Sequence, residues 1–396
     1  MTTRRIGVGT VGLGWMGRVH SRAYRRLRDH FPETVARPEL VIVADASPDR
    51  RAEAADVHGY RETTDQWQRV AEHPDVDVVS IAVPNFLHRE IAIAAARAGK
   101  HLWLEKPCGR VPAETAEIAE EVERAGIHTA VGFNYRYTPA VERARELLAA
   151  GAVGTPTHYR GHFLADYASD PRGGRSWRFQ EAYGGLGVLG DVMSHAADMA
   201  CHLLGPIDEL SAERAVFVPE RPRVSLEASH FDVSEDAALA PVENEDYAAS
   251  LVRFAGGARG TLEASRVTVG PHVRMAFELH GTEGALAWDF ERMNELWRYD
   301  RRDPDPGYRR VLSGPGTAEH GRFQPSAGIG LGFDDLKVIE VHRFLEGIVD
   351  DEPRAAGLPE AAAVMAVIGA MQRAARTGSR VTVEPLTTAP SGGATP

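Results

Sequence analysis

A glycine pattern at the start of the chain limits the fold more than anything after it. Two Gly-x-Gly-x-x-Gly frames overlap there, Gly7/Gly9/Gly12 and Gly12/Gly14/Gly17. The first would need its strand in the polar residues 1–5. The second follows the apolar run 6–11 and precedes apolar positions at helical spacing, Met16, Val19, Ala23 and Leu27, so it reads as the strand-loop-helix turn. In that frame Gly12 permits the tight turn, Gly14 lets the backbone approach a pyrophosphate without a Cβ in the way, and Gly17 lets the helix pack on the strand. The helix, opened by Trp15 and Met16, presents free N–H groups and a positive dipole end to the phosphates. These residues are the first candidates for holding a dinucleotide.

A second strand reads at 40–44 and is closed by Asp45. Dinucleotide folds place an acid there to accept hydrogen bonds from the adenosine ribose, and its charge repels a 2′-phosphate. NAD is therefore expected, with NADP possible because Arg50 and Arg51 lie close enough to receive a phosphate. Asp45 also precedes a helix start, with Ser47 as cap and Pro48 at the first helical position. A helix is expected around 64–72, then a buried strand at 76–83 that ends in Pro84-Asn85. Open α/β sheets bind ligands at strand carboxyl ends, which makes Pro84, Asn85 and His88 candidates for the cofactor's surroundings. An alanine-rich helix over 90–98 leads to a strand over 101–104, and that strand delivers Glu105-Lys106-Pro107. Helices at 112–125 and 139–149 flank a further strand at 128–133. Repeated β-α units predict a Rossmann-type doubly wound parallel sheet for a first domain of residues 1–150.

The glycine loop, Glu105-Lys106-Pro107 and the stretch Gly132-Phe133-Asn134-Tyr135-Arg136-Tyr137 together resemble the Gfo/Idh/MocA family of nicotinamide-dependent oxidoreductases, over about residues 6–383. The resemblance implies that Lys106 touches both cofactor and substrate and that the Lys106-Pro107 peptide bond is cis. It also implies that Glu105 belongs to the cofactor side and Tyr135 to the substrate side. Charge chemistry supports the lysine independently: a cation beside a reacting hydroxyl stabilises the alkoxide that forms as hydride leaves, most effectively where water is excluded.

Composition changes near Gly151, and from Thr155 onward the apolar period is mostly two. Met275, Phe277 and Leu279 alternate with Arg274, Ala276, Glu278 and His280, and Leu286, Trp288 and Phe290 repeat the pattern beyond the turn Gly281-Thr282-Glu283-Gly284. With strands at 159–163, 210–218, 247–254 and 260–265, this predicts a large open, mostly antiparallel sheet in a second domain of residues 151–385. One face should pack on helices and the other is free to meet another subunit. Family members assemble through that sheet, which implies a homodimer or homotetramer. Helices at 334–349 and 359–376 are expected to lie back across the junction, and residues 386–396 read as a flexible tail.

Within the second domain Asp191 and His195 are four apart and share one face of a helix. The resemblance implies that they point at the substrate beneath the nicotinamide, with His195 as proton acceptor and Asp191 touching substrate or orienting the imidazole. An imidazole that titrates near neutrality suits removal of the proton left by hydride transfer. Upstream, Trp177 and Arg178 offer an aromatic face beside a charged donor, which suits a sugar ring. Similar Trp-Arg loops occur in sugar-oxidising members of the family.

A net charge of -11 with no clustered basic stretch argues against nucleic acid as a partner. Two cysteines, Cys108 and Cys201, are too few for a disulfide framework, so a reducing cytoplasm is expected. No apolar run reaches membrane-spanning length. Asp191, His195, Asp198 and His202 could line one helix face, yet no further motif completes a metal site, and none is expected. The reading that unites these features is an NAD(P)-dependent oxidoreductase acting on a secondary hydroxyl of a sugar, anhydrosugar or cyclic polyol. Two alternatives stand beside it, a non-catalytic NAD-binding sensor and a glycoside-processing enzyme that recycles its NAD internally.

Overall fold

The structure, a computed structural model, describes residues 3–226, 228, 233 and 237–386. Strands and helices alternate through its first part: β1 (Arg4–Val11), α1 (Trp15–His30), β2 (Ala36–Ala44), α2 (Pro48–Glu53), β3 (Glu62–Thr64), α3 (Gln68–Glu72), β4 (Val78–Ile81), α4 (Asn85–Arg97), β5 (His101–Leu104), α5 (Pro112–Ala125), β6 (Thr129–Val131) and α6 (Pro139–Ala149). The six strands pair in parallel in the order β3-β2-β1-β4-β5-β6. Val41, Ile42 and Val43 of β2 and Val78, Val79 and Ile81 of β4 are fully buried, as expected of strands covered on both faces. Strand order reverses between β1 and β4, and the crevice at their carboxyl ends is where such sheets take ligands.

Several element boundaries differ from the sequence expectation: the strand expected at 40–44 starts at Ala36, the one expected at 210–218 spans Ile207–Ala215, and two helices differ as follows. The helix expected at 64–72 occupies only Gln68–Glu72, because Glu62–Thr64 pairs with β2 as a short edge strand, which suits its β-branched threonines. The helix expected to begin at residue 90 begins at Asn85, directly after Pro84, which brings Asn85 and Phe86 to a helix start on the crevice.

The second part contains β7 (Pro156–Ala165), α7 (Glu181–Gly184), α8 (Ser194–Leu204), β8 (Ile207–Ala215), the small pair β9 (Glu220–Pro222) and β10 (Leu239–Pro241), and then β11 (Tyr247–Phe254), β12 (Arg259–Ser265), β13 (Val273–Gly281), β14 (Gly284–Asp289), β15 (Glu295–Asp300) and β16 (Arg309–Leu312). It ends with α9 (His320–Phe323), α10 (Phe333–Asp350), α11 (Leu358–Thr377) and β17 (Val381–Thr382). Nine strands form one sheet in the order β16-β15-β14-β13-β7-β12-β11-β8-β17. Every pairing in it is antiparallel except that of β7 with β12.

Side chains alternate across this sheet. Tyr159 and Phe163 of β7 are buried on the face that α8 covers, while Arg160 between them is exposed. The register sets Leu251, Thr261, Arg160, Glu278, Ala287 and Trp297 in one row across the opposite face. The last two helices return to the first sheet: α10 packs on α1 and α11 on α5, and the Val131 N–H donates to the Ala356 carbonyl at 2.7 Å. One buried apolar cluster therefore runs from Val8 and Leu104 to Leu262, Ile339 and Met371. Residues 387–396, which hold nearly all of the expected tail, lie outside the described residues. Among the described residues no helix is long and apolar enough to cross a membrane.

Candidate active site

The glycine loop has the geometry that its sequence requires. Gly12 adopts φ +89, and a Cβ on it would meet the Ala82 carbonyl at 2.6 Å. A Cβ on Gly17 would stand 2.0 Å from the Gly12 carbonyl, so the first turn of α1 closes on the loop only without a side chain there. Nothing lies within 4 Å of the Cβ position on Gly14, which leaves that side of the loop open to a ligand. Gly7 and Gly9 instead face close neighbours, the Asp75 carbonyl and Val70, and belong to the packed strand. Asp45, at the end of β2, is buried. Its Oδ2 accepts from the Leu13 N–H at 2.7 Å and its Oδ1 from the Ser47 N–H at 2.9 Å, with Arg50 at 3.5 Å. The acid thus braces the glycine loop.

Trp15 is 66% exposed and stacks on Phe333 of α10 at 5.4 Å, while Met16 beside it is half-buried. Pro84 caps α4, and Asn85 Nδ2 donates to the Gly184 carbonyl at 3.4 Å, which joins the two halves across the crevice. Two of the expected cofactor residues turn away from the open side. His88 is buried, with Nδ1 2.9 Å from the Pro107 carbonyl and Nε2 2.8 Å from the Val83 carbonyl, so it ties the loops after β4 and β5 together. Glu105 is buried in an ionic cluster, 2.7 Å from Lys337 Nζ and 3.0 Å from His20 Nε2. Position at a strand end fixed where these side chains begin but not which way they point.

Lys106 follows Glu105 at the end of β5, and its bond to Pro107 is cis. Its Nζ donates to the Asp191 carbonyl at 2.8 Å and to Asp191 Oδ1 at 3.0 Å. The Tyr167 hydroxyl donates to the other carboxylate oxygen, Oδ2, at 2.5 Å. Burial opposes charge on Asp191, yet Lys106, Arg178 and the Tyr167 hydrogen bond hold its carboxyl well below the usual range. Residues 189–193 form a π turn that runs into α8, so Asp191 and His195 do not sit on one regular α-helical face. Both Asp191 oxygens accept from donors outside the helix, Oδ1 from Lys106 and Oδ2 from Tyr167.

His195 is buried and ringed by Tyr135 at 4.7 Å, Phe163 at 5.7 Å and Phe133 at 6.0 Å between ring centres. Burial, and then the Lys106 charge, push its imidazole well below the usual histidine range, so it stands neutral and is a weaker base than the near-neutral imidazole expected from the sequence. Trp177, Arg178, Asn85, Leu186, Asp191 and Arg266 line the adjoining cleft, with the Arg178 guanidinium 4.2 Å above the Trp177 ring.

Sequence reasoning missed Tyr167, Arg266 and Lys337. Tyr167 and Arg266 each follow the end of a sheet strand, and strand ends were the available signal. Lys337 announced itself as a lysine on the apolar side of α10, three residues before Glu340. Asp198 is buried in an ion pair with Arg136, and among the described residues no group of His, Cys, Asp and Glu stands ready to hold a metal.

Residues 6–133 match the family described as "Oxidoreductase family, NAD-binding Rossmann fold", and residues 141–287 match "GFO/IDH/MocA C-terminal domain". The chain is 38% identical to levoglucosan dehydrogenase of Pseudarthrobacter phenanthrenivorans over 88% of its own length and 90% of that protein's. It is 27% identical to scyllo-inositol 2-dehydrogenase (NAD(+)) of Bacillus subtilis over 71% and 73%. Among solved structures, levoglucosan dehydrogenase in complex with NADH and levoglucosan superposes with a TM-score of 0.90 at 36% identity, covering 96% of this chain and all of the other. An oxidoreductase domain protein from Kribbella flavida gives a TM-score of 0.89 at 32% identity, covering 97% and 100%.

Proposed function

This chain belongs to the Gfo/Idh/MocA family of NAD-binding oxidoreductases, and on that premise we propose that it moves a hydride between C4 of the nicotinamide and a secondary hydroxyl of a sugar, anhydrosugar or cyclic polyol. The observation that carries this reading is the meeting of Lys106 with Asp191, beside a neutral His195, at the carboxyl end of the dinucleotide sheet. The names of the relatives, levoglucosan and scyllo-inositol dehydrogenases, support the substrate class.

Bound NAD supplies the hydride acceptor. The open side of Gly14 and the first turn of α1 receive its pyrophosphate, and Asp45 receives the adenosine ribose. Lys106 stabilises the oxyanion that develops as hydride departs, and His195 takes the hydroxyl proton. Trp177 offers its ring and Arg178 its guanidinium to the sugar, with Tyr135 packing the imidazole from behind. In this reading residues 1–150 form the dinucleotide domain and 151–385 the substrate and assembly domain. Copies of the chain pair through the exposed face of the nine-stranded sheet as a dimer or tetramer. Two cysteines without a disulfide suit a reducing cytoplasm.

Lys106→Ala and His195→Ala test the assignment. Each should lower kcat by about 100-fold or more, while the NADH dissociation constant stays within a few-fold of the parent. Full turnover in both variants would sink the proposal.

A further inference from the structure

Tyr167 lies two residues past the end of β7, and no motif drew attention to it. An ammonium has three N–H donors. Two of those on Lys106 are committed to Asp191, one to the backbone carbonyl at 2.8 Å and one to Oδ1 at 3.0 Å, so the direction of the third is set by where Asp191 stands. A carboxylate held by one donor can turn about its Cβ–Cγ bond. Asp191 is held at both oxygens from different elements, Oδ1 from the end of β5 and Oδ2 from the Tyr167 hydroxyl at 2.5 Å. Burial, and then the charge of Asp191, keep that hydroxyl protonated well above the usual tyrosine range, so it donates at every working pH.

We infer that Tyr167 is a positioning residue: it locks the Asp191 carboxylate so that the remaining N–H of Lys106 points at the substrate oxygen. The inference rests on the reaction proposed above. It makes the loop after β7 part of the machinery, although that loop carries no acid, base or nucleophile of the reaction.

Tyr167→Phe keeps the ring and removes the single hydroxyl. It should lower kcat by roughly 10- to 100-fold with little change in NADH affinity, the cost of a misplaced donor in the transition state. In an Asp191→Asn background the same substitution should add less than about twofold, because a residue that acts through Asp191 has nothing further to lose. A substrate-free measurement separates this inference from the reaction itself. Competitive acylation of lysines across pH 6–10, read by peptide mass, should find Lys106 several-fold more reactive in Tyr167→Phe than in the parent, and a melting temperature near the parent's would show both proteins folded. Parental turnover in Tyr167→Phe, undiminished loss in the Asp191→Asn background, or unchanged Lys106 labelling would each overturn the inference. If the parent reduces NAD with no sugar or polyol, the reaction falls, and the labelling still decides whether Tyr167 acts on Lys106 through Asp191.

Discussion

The imidazole of His195 and the ammonium of Lys106 divide the chemistry by environment. Three aromatic rings surround the histidine, and burial with the neighbouring lysine charge pushes its pKa well below 6.5. A base works in its unprotonated form, so a lowered pKa carries the active form to lower pH. The acidic limb of kcat/KM should accordingly lie below the ordinary histidine value of about 6.5. A pH-rate profile from 5 to 9 checks this, and a limb at or above 6.5 would assign the proton to another group. Lys106, Asp191 and His195 were legible because motif spacing carries them. Tyr167 was not, because a lone tyrosine after a strand has no spacing to read, and its role exists only where the chain folds Asp191 onto it. Glu105 and His88 show the opposite limit: sequence located them correctly, but burial against Lys337 and two backbone carbonyls decided their direction.

At the scale of elements, the glycine loop separates two requirements that one motif combines. Gly17→Ala puts a Cβ 2.0 Å from the Gly12 carbonyl and should destabilise the protein by a few degrees or more in melting temperature. Gly14→Val meets open space within the protein and should melt near the parent while weakening NADH binding by about tenfold or more, since the side chain occupies the ligand's approach. Equal melting temperatures for both variants would contradict these roles. Helix α10 contributes a different feature, the buried Lys337 shared by Glu105 at 2.7 Å and Glu340 at 2.8 Å. Burial pushes the Glu340 carboxyl up to about 7 despite that lysine. A folded pKa above the unfolded one means that the folded state binds the proton more tightly, so the contribution is complete below about pH 4.3 and is lost as pH rises through about 7. Glu340→Gln should therefore gain on the parent in melting temperature between pH 5 and pH 8. A variant that loses ground to the parent over that interval would refute the sign. The β-α alternation and the glycine frame were readable from apolar runs alone. The π turn at 189–193 was not, because its sequence fits an ordinary helix and only the fold brings Lys106 to the Asp191 carbonyl within it.

Across the whole molecule, the six-stranded sheet presents Lys106 beyond the end of β5, and the chain that leaves the nine-stranded sheet after β7 brings Asp191 to it. Period-two alternation made the second sheet legible, including its unpacked face, whereas the parallel pairing of β7 with β12 required contacts distant in sequence. On that face Leu251 is 59% exposed in the same row as the Arg160–Glu278 ion pair. The proposed pairing through that face predicts that Leu251→Glu shifts sedimentation toward monomer while leaving the fold intact, and an unchanged mass would overturn it. One measurement meets the proposed reaction directly. Purified protein is incubated with NAD and, in turn, anhydrosugars, aldoses and inositols, and absorbance is followed at about 340 nm, where reduced nicotinamide absorbs. A band should rise with at least one of them and be abolished in Lys106→Ala. A flat trace across the panel, from protein that binds NADH tightly, would contradict it.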